Sequence, residues 1–226
     1  MAKIDPKDPF ELTRQQVCDE TFYFNHVFSS SNYYVYSLCT DKELTDCEDT
    51  LAKVYPLNRM KRMSSINMEA EFMERASQLG VSPKFLGLRY CMYKNKPYAV
   101  LLMSKYGEGN LTMLMKNGMY ETHKHEIHAQ LKHILDTLYD HHIDHNDLHS
   151  DNILYKINEQ GQIELKIIDF DAAIPLKHRR TYTIEDRNGG PDVEISGKLR
   201  RTRTSKVKRS KRSKRTNKHK NKNKEA

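Results

Sequence analysis

Apolar positions divide this chain into a strand-rich first half and a helix-rich second half. Runs of aromatic, aliphatic and β-branched residues predict strands at 33–36, 51–55, 85–93 and 98–103. A single helix is predicted between the second and third strands, over residues 64–79. Its apolar residues recur at helical spacing: Met68, Phe72, Met73, Ala76 and Leu79. Gly80 follows directly and is typical of a helix end.

The second half carries one long amphipathic stripe. Its apolar residues are three or four positions apart and predict a helix buried along one face: Ile127, Leu131, Ile134, Leu135 and Leu138. A polar segment at 144–151 follows, and then two short predicted strands at 153–155 and 165–168. The pattern indicates that a polar loop and a pair of short strands follow the long helix.

This order of elements predicts an α+β fold with two lobes and a tail. We expect five strands and one helix in a β-rich lobe, and a reduced, mainly helical lobe that contains the polar loop. The predicted boundaries are an N-terminal extension 1–19, a first lobe 20–103, a hinge 104–109, a second lobe 110–197 and a tail 198–226.

Charge is concentrated in the tail. Residues 198–226 hold 15 Lys or Arg and one acid, which leaves 23 basic against 29 acidic side chains in the rest of the chain. A segment so poor in large apolar side chains is predicted to be disordered when it is unbound. Its charge fits a nucleic acid, an acidic protein or a nuclear-import receptor, and the absence of aromatics argues against base stacking.

The four cysteines show no C-x-x-C pair, so no zinc site is predicted, and free thiols in a reducing compartment are the expectation. No apolar run has the length of a signal peptide or of a membrane span. These features predict a soluble intracellular protein. The basic tail adds nuclear import as an alternative, and packaging in a virion if the source is viral.

The segment 145–152, His-Asn-Asp-Leu-His-Ser-Asp-Asn, carries the strongest chemical signal. An Asp is followed five residues later by an Asn, and a second Asp lies on the next strand within Ile168-Asp169-Phe170-Asp171. At these positions the chain resembles the protein-kinase-like superfamily. The resemblance implies ATP and Mg²⁺ as cofactors, with Asp147 as the base that accepts the proton of the attacking hydroxyl, and Asn152 and Asp169 as metal ligands.

The same resemblance assigns residues of the first half to nucleotide binding. Lys53, in Leu51-Ala52-Lys53-Val54, is similar to the strand lysine that pairs with phosphates and with a helix glutamate. Glu69 is the predicted partner, with Glu71 as the alternative. Met103 would border the adenine, although an ordinary core methionine fits equally well.

The phosphate-covering loop departs from the family pattern. Counting back from Val35, the three glycine positions of G-x-G-x-x-G-x-V hold Phe28, Ser30 and Tyr33. Ser30 and Ser31 are small, so the backbone can still approach phosphates there, although glycine would allow a closer approach.

Three departures in the second half indicate the subclass. Asn146 replaces the Arg that normally receives an activation-loop phosphate, His149 replaces the catalytic-loop Lys, and Asp171 replaces the Gly of D-F-G. No A-P-E motif follows. The chain is therefore similar to the small atypical kinase of the KEOPS complex and to compact kinases of large DNA viruses.

The resemblance implies phosphorylation of protein Ser or Thr, with Asp147, Lys53 and His149 as catalytic residues. Two alternatives remain open. Asn146, His149 and Asp171 favour a small-molecule kinase of the choline or aminoglycoside type, and the glycine-free loop favours an inactive scaffold that binds nucleic acid or a partner through its tail. The shortened second lobe also leaves room for a partner that completes it.

Overall fold

The computed structural model describes residues 15–17, 20–41, 43, 45–57, 61–93, 95–177, 181–187 and 190–196. The tail 198–226, predicted to be disordered, lies outside the described residues. No helix among the described ones is long and apolar enough to cross a membrane.

The first part of the chain is an antiparallel six-stranded sheet with one helix. In chain order its elements are β1 (Gln15–Val17), β2 (Glu20–Ser29), β3 (Tyr34–Cys39), β4 (Cys47–Pro56), α1 (Lys61–Gln78), β5 (Phe85–Tyr93) and β6 (Lys96–Ser104). The spatial order of the strands is β1-β2-β3-β4-β6-β5. Five strands were expected, beginning after residue 19. The sheet starts earlier because Gln15 to Val17 pair with β2, although this short stretch carries no apolar run.

The second part begins with short elements around one long helix. They are β7 (Gly109–Asn110), α2 (Leu111–Lys116), α3 (Tyr120–Asp140) and β8 (Ile143–Asp144). All five residues of the predicted stripe on α3 are buried. The hairpin of β9 (Ile153–Ile157) and β10 (Ile163–Ile167) packs beside α3, where Glu126 and Gln130 accept backbone N–H groups of Ile163 and Leu165.

The last described elements are strands rather than helices. After the short β11 (Ile174–Pro175), strands β12 (Thr181–Arg187) and β13 (Gly190–Ser196) form a separate two-stranded sheet. The expectation of a mainly helical second lobe to residue 197 is wrong for this end of it. Tyr182 and Ile184 are partly buried and alternate with exposed residues, so one face of this hairpin packs on the core. Residues two positions apart share a face in a strand but not in a helix.

Two apolar clusters lie on opposite faces of the six-stranded sheet. The larger one joins α1 to α3 and includes Leu101, Leu131 and Phe170, so one continuous core connects both parts of the chain. The smaller one, on the other face, is rich in tyrosine and includes Tyr36 and Tyr98. Because residues of α1 and Phe170 share this core, it fixes the position of α1 relative to the segment that follows β10.

The expectation of free thiols is wrong. Cys39 and Cys47 form a disulfide between β3 and β4, and Cys91 is also disulfide-bonded. Cys39 and Cys47 are directly paired across the two strands, which brings their sulfur atoms together. The sequence spacing of the two cysteines does not predict this disulfide, because their proximity depends on how β3 and β4 pair.

Candidate active site

A buried lysine–glutamate pair lies between the sheet and α1. Strand β4 places Lys53 and helix α1 places Glu69, which are 4% and 3% exposed. Lys53 Nζ donates to Glu69 Oε1 over 2.7 Å, and the hydroxyl of Tyr55 donates to Oε2 over 2.5 Å. Glu71, the alternative partner, is exposed. A buried carboxylate needs such partners on both oxygens to offset the loss of water.

Lys53 also reaches the second part of the chain. Its Nζ lies 2.6 Å from Oδ1 of Asp169, which follows β10 and has a left-handed backbone with φ of 69°. Burial opposes the charge on Lys53, but the carboxylates of Glu69 and Asp169 outweigh it and raise the pKa of the lysine. Burial likewise opposes the charge on Asp169, yet Lys53 holds the pKa of this carboxyl below its usual value. The ammonium is thus a charged link between α1 and the segment after β10.

The polar loop 145–152 is tied to the same segment by one side-chain and one backbone hydrogen bond. His145 Nε2 contacts the carbonyl oxygen of Ile168 at 2.9 Å, and the Ile168 N–H donates to the carbonyl of Asn152 over 3.0 Å. The His145 ring packs on Phe170 with centroids 4.9 Å apart. These bonds hold Asn152 next to the strand end that carries Asp169.

Asp147 and His149 occupy the open side of this loop. The Asn152 amide donates to the Asp147 carbonyl oxygen over 3.0 Å, and its Nδ2 lies 3.1 Å from Nε2 of His149. The Asp147 side chain is 56% exposed, and its Oδ2 lies 3.9 Å from His149 Nε2. Its carboxylate is therefore open to solvent while the backbone that carries it is fixed.

Comparison with known families decides the class. The family model of the protein kinase domain matches residues 37–189, more than half of the chain. The chain belongs to the protein kinase domain family. A search of the curated proteins finds no match. Membership implies phosphoryl transfer from ATP, and the mixed helix and strand content agrees with it.

One kinase-site residue was not recognised from the sequence. Tyr33, at the third glycine position of the phosphate loop, turns into the cleft, where its hydroxyl donates to Asp169 Oδ2 over 3.0 Å. Lys53 Nζ lies 4.0 Å from the centre of its ring. Burial first, and then the nearby Asp169 carboxylate, raise the pKa of Tyr33 to about 12. Its place in the glycine pattern was the only available signal.

The other residues predicted to contact nucleotide lie in the turn between β2 and β3 and on β6. The hydroxyl oxygen of Ser30 accepts backbone N–H groups of Asn32 and Tyr33 at 3.1 and 3.2 Å, which closes a turn between β2 and β3. Ser31 is exposed at the tip of that turn. Met103 is a core residue of β6, paired with Leu51 and Phe85.

The donor set fits a metal that nucleotide phosphates help to hold. Asn152 uses its Nδ2 for the loop, which leaves Oδ1 as the side-chain oxygen that would bind a cation. Asp169 supplies carboxylate oxygens, which Mg²⁺ also prefers. Among the described residues no group of three or more His, Cys, Asp or Glu could hold a metal ion. Asn152 and Asp169 would therefore need phosphate oxygens and water to complete the coordination of Mg²⁺.

Proposed function

We propose that this chain transfers the γ-phosphoryl group of ATP to Ser or Thr side chains of proteins in a Mg²⁺-dependent reaction. The observation that carries the proposal is the double ion pair of Lys53 with Glu69 and Asp169. A buried ammonium between a helix carboxylate and a strand-end carboxylate is the arrangement that binds and polarises phosphates in kinases.

The remaining roles follow from position. Asp147 would accept the proton of the acceptor hydroxyl, since its carboxylate is exposed on a fixed loop. Asn152 and Asp169 would hold Mg²⁺, which neutralises phosphate charge when bound. His149, beside Asp147 and Asn152, would orient both and take the place of the usual lysine. Ser30, Ser31 and Met103 would contribute only backbone or apolar contacts to the nucleotide.

We also propose that the chain is a compact, atypical kinase with two lobes, close to those of the KEOPS complex and of large DNA viruses. The hinge would lie at 104–109, between β6 and β7. The hairpin β12–β13 would form part of the second lobe. Asn146 donates to the carbonyl of Ala172 and carries no charge, so activity should not depend on an activation-loop phosphate.

A protein acceptor is favoured over a small molecule by the openness of the site. A small-molecule pocket encloses most of its ligand, whereas the Asp147 side chain is more than half exposed. A second candidate, an inactive scaffold, is favoured by one observation: Tyr33 occupies the Asp169 carboxylate that a metal requires.

Radiolabelled ATP and the purified chain test the proposal. Asp147→Asn should lower phosphate transfer to casein or to a basic protein by about 10²- to 10⁴-fold, while the ATP-induced rise in melting temperature is kept. Glu159→Gln, in the exposed turn between β9 and β10, is the matched control and should behave like the wild type. Transfer to choline alone would support a small-molecule kinase. Absence of both transfer and nucleotide binding would support the scaffold.

A further inference from the structure

The hairpin β12–β13 closes one side of a cavity above the polar loop. The cavity holds about 260 Å³ and is lined on the loop side by Asp144, Asp147 and His149, and on the hairpin side by Asp192 and Val193. It thus contains the proposed base and is the place where an acceptor hydroxyl must arrive. The hairpin is a wall of the acceptor site, in addition to its packing role.

The wall is firmly attached to α3. The Tyr182 hydroxyl lies 2.9 Å from the Lys132 carbonyl oxygen and 3.0 Å from Oδ1 of Asp136, so its one proton is shared between these acceptors. Tyr120 donates to Asp186 over 2.6 Å. At the other end, a Cβ on Gly190 would overlap the side chain of Met115, so this strand lies tightly on α2. Asp192 and Val193 of β13 are therefore held in place beside the loop.

The lining of this cavity is acidic. Three of its residues are aspartates, and it includes no Lys or Arg from the described part of the chain. Asp192 lies opposite Glu185 in the hairpin, which adds a further carboxylate nearby. The cation that a kinase usually carries after the loop histidine is absent, since Asn146 is neutral. Such a lining attracts a cationic segment and repels an acidic one.

One residue of the lining carries a buried ring nitrogen without a partner. His145 also lines the cavity, and its Nδ1 has no hydrogen-bond partner among the described residues. Because Nε2 faces a carbonyl oxygen, it must carry the proton, and Nδ1 is left as an acceptor. Because burial also lowers the pKa of this imidazole, the ring adds no positive charge to the acidic lining at neutral pH.

This chain carries a segment with those properties directly after β13. The strand ends at Ser196, and the basic segment begins at residue 198. Hydroxyl residues stand among its Lys and Arg side chains: Thr202, Thr204, Ser205, Ser210 and Ser213. Val193, which lines the cavity, lies three residues before Ser196, or ~10 Å along the strand. Six residues from Ser196 to Thr202 can span up to ~20 Å, so every one of these hydroxyls can return to Asp147.

We propose that the acidic cavity between the hairpin and the polar loop receives the segment 198–213 of the same chain, and that the kinase phosphorylates hydroxyls within it. This inference rests on the proposed function. The hydroxyl oxygen forms a bond to the γ-phosphorus of ATP and its proton passes to Asp147. The bond from that phosphorus to the bridging oxygen breaks, and ADP leaves. The short tether gives millimolar effective concentration, so the reaction occurs within one molecule.

The experiment incubates the full chain with Mg²⁺ and ATP and locates phosphate by mass spectrometry. We expect phosphate at the hydroxyls between 202 and 213, with a first-order rate that does not change with protein concentration. Asp192→Lys should slow this labelling by about tenfold, since it reverses one charge in the cavity. The melting shift with ATP should stay unchanged. Glu159→Lys is the matched charge reversal outside the cavity and should label at the wild-type rate.

Three results would overturn the inference. If an added basic protein is labelled while 198–213 stays unmodified, the proposed function stands and the tail is not the substrate. A first-order labelling rate constant that rises in proportion to protein concentration would show that one molecule labels another. A wild-type labelling rate in Asp192→Lys would show that the segment does not bind in this cavity. Failure to label any acceptor, although ATP still binds, means that the proposed function itself has failed.

Discussion

The hydroxyl of Tyr33 donates to Oδ2 of Asp169 across the cleft, from a loop position where kinases usually have glycine. The same ring covers the ammonium of Lys53. Both groups that would contact phosphates and metal are therefore already occupied by one side chain. Nucleotide binding must displace the Tyr33–Asp169 contact. The free energy of that contact therefore reduces the binding free energy of Mg²⁺ and ATP.

Removing the hydroxyl of Tyr33 should therefore strengthen nucleotide binding. Tyr33→Phe loses the bond to Asp169 but keeps the ring, and we expect the Kd of Mg²⁺ and ATP to fall by roughly fivefold, the equivalent of about 1 kcal/mol. Isothermal titration calorimetry measures this directly. Tyr34→Phe is the control, because Tyr34 packs against the tyrosine-rich cluster on the opposite face of the sheet. An unchanged or weaker affinity in Tyr33→Phe would show that the contact does not compete.

Removing the charge of Lys53 should destabilise the fold as well as abolish transfer. Lys53→Met leaves Glu69 buried without its cation, and a loss of about 3–5 kcal/mol in the free energy of unfolding is expected. The double variant Lys53→Met, Glu69→Leu should be more stable than the single one, because the unpaired carboxylate is gone. Urea unfolding measures both. Lys132→Met, which breaks an exposed pair with Asp136, should cost no more than ~1 kcal/mol. A double variant less stable than Lys53→Met would contradict this account.

Protonation of His145 should make stability fall in mild acid. Burial lowers the pKa of this imidazole below its ordinary value of 6.5. Above that value the ring is neutral in both states. As the pH falls through 6.5, the unfolded chain binds a proton that the folded chain refuses, so the free energy of unfolding decreases until the folded pKa is reached. Urea unfolding from about pH 7 to 5 should show a shallower decrease in His145→Gln than in the wild type.

The exposed His133 of α3 serves as the control for this pH series. His133→Gln should keep the wild-type slope of stability against pH. Equal slopes for the wild type and His145→Gln would mean that the buried ring contributes nothing to the acid sensitivity.

Two glycines with similar backbones should differ sharply in their tolerance of alanine. Gly107 and Gly118 have φ of 70° and 73°, where a Cβ costs about 1–2 kcal/mol. At Gly107 a Cβ would also overlap the carbonyl oxygen of Tyr155, whereas nothing lies within 4 Å at Gly118. Gly107→Ala should therefore lose about 3 kcal/mol or more in urea unfolding. If both variants lose the same amount, the close approach at Gly107 is not rigid.

The sequence could predict features that depend on neighbours along the chain. The buried stripe of α3 follows from a helical period, and burial of all five residues confirms it. The predicted helix end near Gly80 agrees with the structure, because α1 ends at Gln78 and Gly80 has the left-handed φ of 73° that is common just after a helix. The kinase family itself, confirmed by the family match, was recognisable because its polar residues cluster within 145–171. In the predicted stripe of α1, Met68 was wrong: it is exposed, and Ile66 and Ala70 are buried instead.

What the sequence by itself determined is the α+β class and the local spacing of polar groups, since period and motif are properties of a continuous stretch. Only the tertiary structure decided that Tyr33 meets Asp169 across 136 positions, that Cys39 bonds Cys47, and that a hairpin rather than a helix borders Asp147. Each of these depends on which strands pair and which faces are buried together. Those choices follow from the free energy of the whole core, which no short window of sequence contains.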